Sequence, residues 1–334
     1  MKLPQSAGST WVALSPTGKV AYGSGSSAFS ADPPYTTAKA VRVPPAAGAL
    51  GGARFTRDGS QLALRLEKGS ALLELKSGRY ANTPFDDLSA DAAVRVYAGR
   101  ADENYNNLFL ETSAPAPARP VFTITDRAKV FAALRAQGSP AAAKIADDAE
   151  QSPPTQSTEW LTGPPALSPD GEAMYWSTNM GGGSGAAGNT QWLLMKTDVG
   201  TGRTIGLARR GTEFGRMPEL EVSPDGRKLL ATWSIHSSAV ENPVGNDVVD
   251  LVSQKHTQLS NEAAGKSDVN IQDGQCWGAN SQLVAYSGYY YDPHDPKVVG
   301  GGDPPRARFT IFVKDVATNH TIRTIDGAVR PSCG

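Results

Sequence analysis

Several kinds of chemistry are missing from this sequence, and each absence excludes something. Cysteine is scarce: Cys276 and Cys333 are the two in 334 residues, too few for a disulfide framework or a four-thiolate zinc site, so one optional bridge is the most they permit. Histidine is almost as scarce, at positions 236, 256, 294 and 320, and no two have the short spacing of a zinc pair. Neither charge sign is in excess, since 32 Lys and Arg against 33 Asp and Glu leave a net charge of −1. That balance lacks the basic surplus that phosphate binding favours, and nucleic acid is excluded as an expected partner. No run approaches the roughly 20 apolar residues of a membrane helix, and the start, Met1-Lys2-Leu3-Pro4-Gln5-Ser6, has no apolar signal-peptide core, so no membrane span is expected.

A nucleophile elbow of the Gly-x-Ser-x-Gly kind is missing as well. Gly23-Ser24-Gly25-Ser26-Ser27 and the glycine-rich run 181–188 leave strands for loops, and neither ends in the Lys-Ser/Thr of a phosphate cradle. Asp292-Pro293-His294-Asp295-Pro296 gathers two carboxylates and an imidazole, but one segment supplies too few of the roughly 6 to 8 oxygens that calcium takes. No catalytic residue, metal ligand or cofactor is therefore assigned.

What the chain has in quantity is glycine, proline and a repeat. Its 35 Gly, 24 Pro and 39% hydrophobic residues suit a large all-β unit with many turns. Ala166-Leu167-Ser168-Pro169-Asp170-Gly171-Glu172-Ala173-Met174-Tyr175-Trp176-Ser177 recurs as Glu221-Val222-Ser223-Pro224-Asp225-Gly226-Arg227-Lys228-Leu229-Leu230-Ala231-Thr232. Each copy is an apolar strand end, a type I turn with Pro at its second position and Gly closing it, and a second apolar strand. Weaker copies begin their turns at Ser15, Thr56, Ser89 and Gly278, making six. The third has Ala90 and Ala92 where Pro and Gly are expected.

Successive turns at 15, 56, 89, 168, 223 and 278 lie 41, 33, 79, 55 and 55 residues apart. The 79 contains residues 126–160, a Pro-rich insertion with a predicted helix at Asp126–Arg135 and another from Pro140 to Glu150. A second hairpin follows the first turn in repeats such as Trp192–Arg203 and Phe309–Asn319, so each repeat holds four antiparallel strands. Four-stranded units at periods of roughly 40 to 55 residues predict an all-β, six-bladed β-propeller, a single domain over 1–334 with the helical insertion within it. The alternative is a β-sandwich with coincidental turns.

The Ser-Pro-Asp-Gly turn after an apolar strand, then a strand such as Leu283-Val284-Ala285-Tyr286-Ser287, then a hairpin such as Lys314-Asp315-Val316-Ala317-Thr318-Asn319, resembles the WD-like propeller repeat of the TolB family. Similar repeats form the propellers of prolyl-oligopeptidase-type peptidases, but a hydrolase domain is not among these residues. The resemblance covers most of the chain outside 126–160. It implies a binding platform that is bacterial and periplasmic or otherwise extracytoplasmic, engaging a protein or peptide partner. The sequence departs from the family in its third repeat, its helical insertion and its lack of the separate N-terminal domain. Gly327–Gly334 resembles the innermost strand of a further repeat: either the tail supplies a closing strand, or the chain is part of a longer protein. Under closure, Cys276 and Cys333 lie on inner-strand ends of adjacent repeats and a disulfide between them is open; the alternative is two unpaired small core residues.

Long connections after the second strand of repeats four to six are expected at Asn179–Thr190, His236–Asp247 and Ser287–Arg308. All three fall on one rim, and long loops on a rigid scaffold carry function. The last begins with Tyr289-Tyr290-Tyr291 and includes His294; side chains alternate along a strand, so three adjacent aromatics cannot all face inward. Tyr289, Tyr290, Tyr291 and His294 are thus the candidate partner-binding residues. A ligand-binding or enzymatic propeller, with a small molecule or sugar at the channel mouth, is the alternative, as is a sensor domain of a larger protein. Trp160, Trp176, Trp192, Trp233 and Trp277 read as inter-blade packing, and His256 and His320 as equivalent, solvated hairpin-tip residues.

Overall fold

The computed structural model describes residues 11–15, 18–24, 27–41, 50–56, 58–66, 69–83, 85–89, 91–99, 107–112, 119–122, 127–136, 140–151, 165–179, 189–213, 215–236, 241–259, 270–278, 280–290 and 308–326. Six antiparallel four-stranded sheets, each built from four consecutive strands, make this an all-β, six-bladed β-propeller with very little helix. Blade 1 is β1 (Trp11–Leu14), β2 (Val20–Ser24), β3 (Ser27–Ala31) and β4 (Lys39–Val41). Blade 2 is β5 (Leu50–Phe55), β6 (Gln61–Leu66), β7 (Gly69–Glu74) and β8 (Tyr80–Asn82). Blade 3 is β9 (Asp87–Leu88), β10 (Val94–Gly99), β11 (Asn107–Thr112) and β12 (Arg119–Phe122), followed by helices α1 (Arg127–Arg135) and α2 (Pro140–Gln151). Blade 4 is β13 (Ala166–Leu167), β14 (Ala173–Asn179), β15 (Asn189–Asp198) and β16 (Thr204–Glu213). Blade 5 is β17 (Gly215–Val222), β18 (Lys228–His236), β19 (Glu241–Asp250) and β20 (His256–Leu259), and blade 6 is β21 (Asn270–Trp277), β22 (Leu283–Tyr290), β23 (Arg308–Asp315) and β24 (Thr321–Asp326).

The chain divides into two compact units, Met1–Pro84 with Leu259–Gly334, and Phe85–Gln258. In the first, blades 1 and 2 share a core in which Trp11, Ala13, Ala21 and Ala28 pack with Ala53, Leu62, Leu64 and Leu73. Beside Trp11, the alanines of blade 1 pack with the leucines of blade 2, and the apolar area of both sheets leaves water. Blade 6 buries Tyr286 against Phe312, rings stacked with centroids 5.6 Å apart.

In the second unit, Tyr175, Leu194 and Leu207 of blade 4 pack on Val222, Leu229, Ala231 and Val249 of blade 5. The opposite face of blade 4, Met174, Trp176 and Met195, packs with Val96, Leu108 and Leu110 of blade 3. Both faces of the sheet are therefore apolar, which is why its strands read as near-continuous hydrophobic runs rather than strict alternation. Phe131 and Leu134 of α1 and Ala146 of α2 join the blade 3–4 cluster. The predicted insertion is thus a helical hairpin packed into the unit's core. Pro140 opens α2, where its missing N–H costs no helical bond. Asp87 on β9 links the innermost strands of blades 3 and 4, its Oδ2 accepting the Leu167 N–H at 2.6 Å.

Candidate functional site

The two ends of the blades are built differently. At the end where first strands turn into second strands, the six predicted turns are all present. The N–H of the closing residue donates to the carbonyl of the opening one: Gly18 to Ser15, Gly59 to Thr56, Ala92 to Ser89, Gly171 to Ser168, Gly226 to Ser223 and Ser281 to Gly278. In four of them a buried hydroxyl is the hub. Ser168 Oγ donates to Asp170 Oδ1 at 2.5 Å and accepts the Ala173 N–H at 2.9 Å; Ser223, Ser89 and Thr56 do the same with Asp225, Asp91 and Asp58. These bonds hold the carboxyls of Asp91 and Asp170 below their ordinary range, and that of Asp58, bonded chiefly to Ser60 and Thr56, down to about 2.

In blades 2, 4, 5 and 6 the second hairpin returns to the same end and is clipped to the first. Leu75, Val199, Leu251 and Val316 donate their N–H groups to the carbonyls of Ser60, Glu172, Arg227 and Gln282. In blades 4 to 6 the tips are Asx turns, with Asp198, Asp250 and Asp315 accepting the N–H of Thr201, Ser253 and Thr318 at 2.6, 2.7 and 2.8 Å. That end is a repeated set of hydrogen-bonded turns.

The opposite end varies. Antiparallel order sends the second-to-third-strand connections and the links between blades out of it together. In blade 4 the ladder runs on to Asn179 opposite Trp192, and Trp192 opposite Arg210. In blade 5 it runs to His236 opposite Glu241, and in blade 6 to Tyr290 opposite Arg308. β15, β16 and β19 have 10 residues each, against 5 in β2 and β3. Extra length at this end, not at the turn end, distinguishes blades 4 and 5 from blade 1.

Of the predicted connections, 180–188 of blade 4 and 291–307 of blade 6 lie outside the described residues, while Asn179 ends β14, Asn189 and Thr190 open β15, Ser287–Tyr290 end β22 and Arg308 opens β23. The expected loop His236–Asp247 is corrected: His236 closes β18, Glu241–Asp247 lies in β19, and only 237–240 remains between them. Cross-strand pairing such as Asn242 with Ile235 outweighs the turn-forming character of Asn242-Pro243. Tyr289 and Tyr290 are the last residues of β22, in register with Phe309 and Arg308, so they belong to opposite faces of blade 6. Tyr291 and His294 lie outside the described residues, as do Trp160, Cys333 and the 327–334 tail.

Trp176 and Trp277 are buried, as packing residues should be, and Trp176 Nε1 donates to Thr197 Oγ1 at 2.9 Å. The equivalence of His256 and His320 shifts by one residue. Lys255 and His320 carry the matching carbonyls that accept from Asp250 and Asp315, while His256 opens β20. Among the described residues, no three His, Cys, Asp or Glu side chains converge as a metal site would require, and no helix is long and apolar enough to cross a membrane. Residues that sequence reasoning missed include Asp87 and Ser177. Ser177 is fully buried on β14, and its Oγ has no hydrogen-bond partner among the described residues.

This architecture defines a class, the six-bladed β-propeller of four-stranded antiparallel blades. No protein-family model and no curated protein matches the chain. Among solved structures, it is similar to hydrazine synthase of Kuenenia stuttgartiensis, at 11% identity over 98% of each chain and a TM-score of 0.53. It is likewise similar to TolB from Acinetobacter baumannii, at 14% identity over 94% of this chain and 66% of that one, TM-score 0.50. An oligogalacturonate lyase in complex with manganese is similar at 10% identity, 93% and 74% coverage, TM-score 0.50. At these identities the likeness is one of fold.

Proposed function

We propose that the chain is a non-enzymatic binding platform that engages a protein or peptide partner through the connections that leave its blades at the end opposite the repeated turns. The asymmetry between the blade ends carries the reading: one end is a repeated, hydrogen-bonded set of turns, while the other spends extra strand length and the connections 180–188 and 291–307. A stiff base with variable connections at the far end is how scaffolds present recognition surfaces. Tyr289, Tyr290, Tyr291 and His294 lead into the longest of those connections and supply the aromatic anchors that interfaces favour. The test compares wild type with a Tyr289→Ser/Tyr290→Ser/Tyr291→Ser variant as bait in a native extract, with mass spectrometry identifying what is retained. A protein held by wild type and lost by the variant is expected; equal retention by both overturns the assignment of those connections.

We further propose that the propeller is one domain over 1–334 and works in the periplasm or another extracytoplasmic compartment. A Cys276–Cys333 disulfide fits that compartment. Cys276 is buried, no cysteine among the described residues is free, and Cys333 is the one other cysteine of the chain.

A further inference from the structure

Each blade carries an apolar residue just before its first turn: Leu14, Phe55, Leu88, Leu167, Val222 and Trp277. Three junctions show that this position packs back onto the preceding blade. Phe55 joins the core shared by blades 1 and 2, Leu167 that of blades 3 and 4, and Val222 that of blades 4 and 5. Leu88, Leu167, Val222 and Trp277 are between 2% and 9% exposed and Phe55 is half-buried, but Leu14 is 45% exposed. Val12, two residues earlier and so on the same face of β1, is 39% exposed. Trp11 and Ala13, on the other face, are buried against blade 2. A single exposed apolar side chain needs no explanation. Two on one face, at a position that other blades bury, call for a cover.

The same repeat shows what stands opposite. Two residues before each turn sits the residue that meets the next blade: Ala13 shares a cluster with Phe55, Asp87 accepts the Leu167 N–H, and Ala166 shares a cluster with Val222. In blade 6 that position is Cys276, and in sequence its counterpart on the next blade is Leu14. Blades 6 and 1 belong to one compact unit. Cys276 is buried, and no cysteine among the described residues is free. A bridge from Cys276 to Cys333 therefore brings a further stretch of chain to the junction where Leu14 lacks its neighbour. The reach suffices. Asp326, the last residue of β24, lies seven residues before Cys333 (333 − 326), which extended cover roughly 23 Å. Four strands span roughly 14 Å from first to last.

We propose that residues 327–332 cover Val12 and Leu14, held at the junction of blades 6 and 1 by a Cys276–Cys333 bridge. Ala328, Val329 and Pro331 supply the apolar atoms of the cover. A dithiol that reduces the bridge leaves two thiols on the chain and is itself oxidised to a disulfide. The tail is then untethered and the apolar face of β1 is presented. This rests on the bridge proposed above and adds to it a docking face and a redox-controlled exposure.

Photocrosslinking on the full chain tests it, with Leu14 replaced by p-benzoylphenylalanine and the products mapped by mass spectrometry. Cross-links to 327–332 are expected in the oxidised protein, with their loss in Cys333→Ser and after dithiothreitol. On the chain without the crosslinker, anilinonaphthalene sulfonate fluorescence should rise on reduction, and Val12→Ser/Leu14→Ser, at exposed positions, should abolish the rise while leaving thermal unfolding unchanged. Cross-links to β21 or β22 instead would mean that blade 6 itself covers Leu14, and cross-linked dimers that a second copy does; either overturns the proposal. So do tail cross-links that persist undiminished in Cys333→Ser. Peptide mapping without reductant separates the two readings. A linked 276–333 peptide without tail cross-links removes the docking and leaves the bridge, whereas no linked peptide removes both.

Discussion

At the scale of single residues, the turns set apart positions that the repeat treats as equivalent. Ala92 closes its turn at φ 60°, where the corresponding Gly171 and Gly226 sit at 76° and 71°. The left-handed region costs a residue with a Cβ roughly 1–2 kcal/mol, so Ala92→Gly is expected to raise stability by about 1 kcal/mol in denaturant titration, after the greater freedom of glycine in the unfolded chain is subtracted. Gly171→Ala should do the reverse, since its Cβ would also come within 3.1 Å of Ser89 Cβ and Val94 Cγ2 on the neighbouring blade. The aspartates of these turns set an acid limit. A carboxyl whose folded pKa is depressed contributes stability above its unfolded value of 3.8 and loses it as pH falls towards the folded one, about 2 for Asp58. The melting temperature should therefore drop steeply from pH 4 to pH 2, and Asp58→Asn should flatten part of that slope.

Elements show a different balance between local and tertiary causes. The helical hairpin is an insertion by sequence, yet Leu134 and Phe131 are 2% and 3% exposed within the blade 3–4 core. Leu134→Ala is expected to cost about 2–4 kcal/mol in equilibrium unfolding; a loss under about 1 kcal/mol would mean that the hairpin is an appendage. The Arg135 link to Asp147, at 2.8 Å, and to Glu150 is exposed and should be nearly neutral on removal. Elements governed by local chemistry were legible in the sequence: Ser168-Pro169-Asp170-Gly171 marks its turn outright, and even Ser89-Ala90-Asp91-Ala92 is found because Ser89 and Asp91 keep the hydrogen-bonding pair. Elements governed by pairing were not. Asn242, Pro243 and Gly245 carry loop chemistry, and nothing local announces that Ile235, Ser234 and Trp233 will hold them in a ladder. Tyr289, Tyr290, Tyr291 and His294 stand out in the sequence by adjacency and aromatic character, which identify a candidate but not its neighbours in space.

For the whole molecule, covalent and chain-level constraints matter most. A Cys276–Cys333 bridge would close a loop of 57 residues (333 − 276), worth about 4 kcal/mol in the chain-entropy account. Reductant is expected to lower the melting temperature of wild type and to leave that of Cys333→Ser unchanged, with scanning calorimetry as the measurement. An identical wild-type melting curve with and without reductant would remove the bridge from the account.

The clipped hairpin tips have a consequence for engineering. Blades 2, 4, 5 and 6 secure their turn ends with bonds made inside the blade, so the opposite end can be rewritten without disturbing the base. Libraries randomised across 180–188, 237–240 and 291–307 should keep a large fraction of folded members, whereas the same diversity spread over 168–171 or 223–226 should not. The chain would then serve as a display scaffold whose variable segments all leave their blades at the end away from the turns.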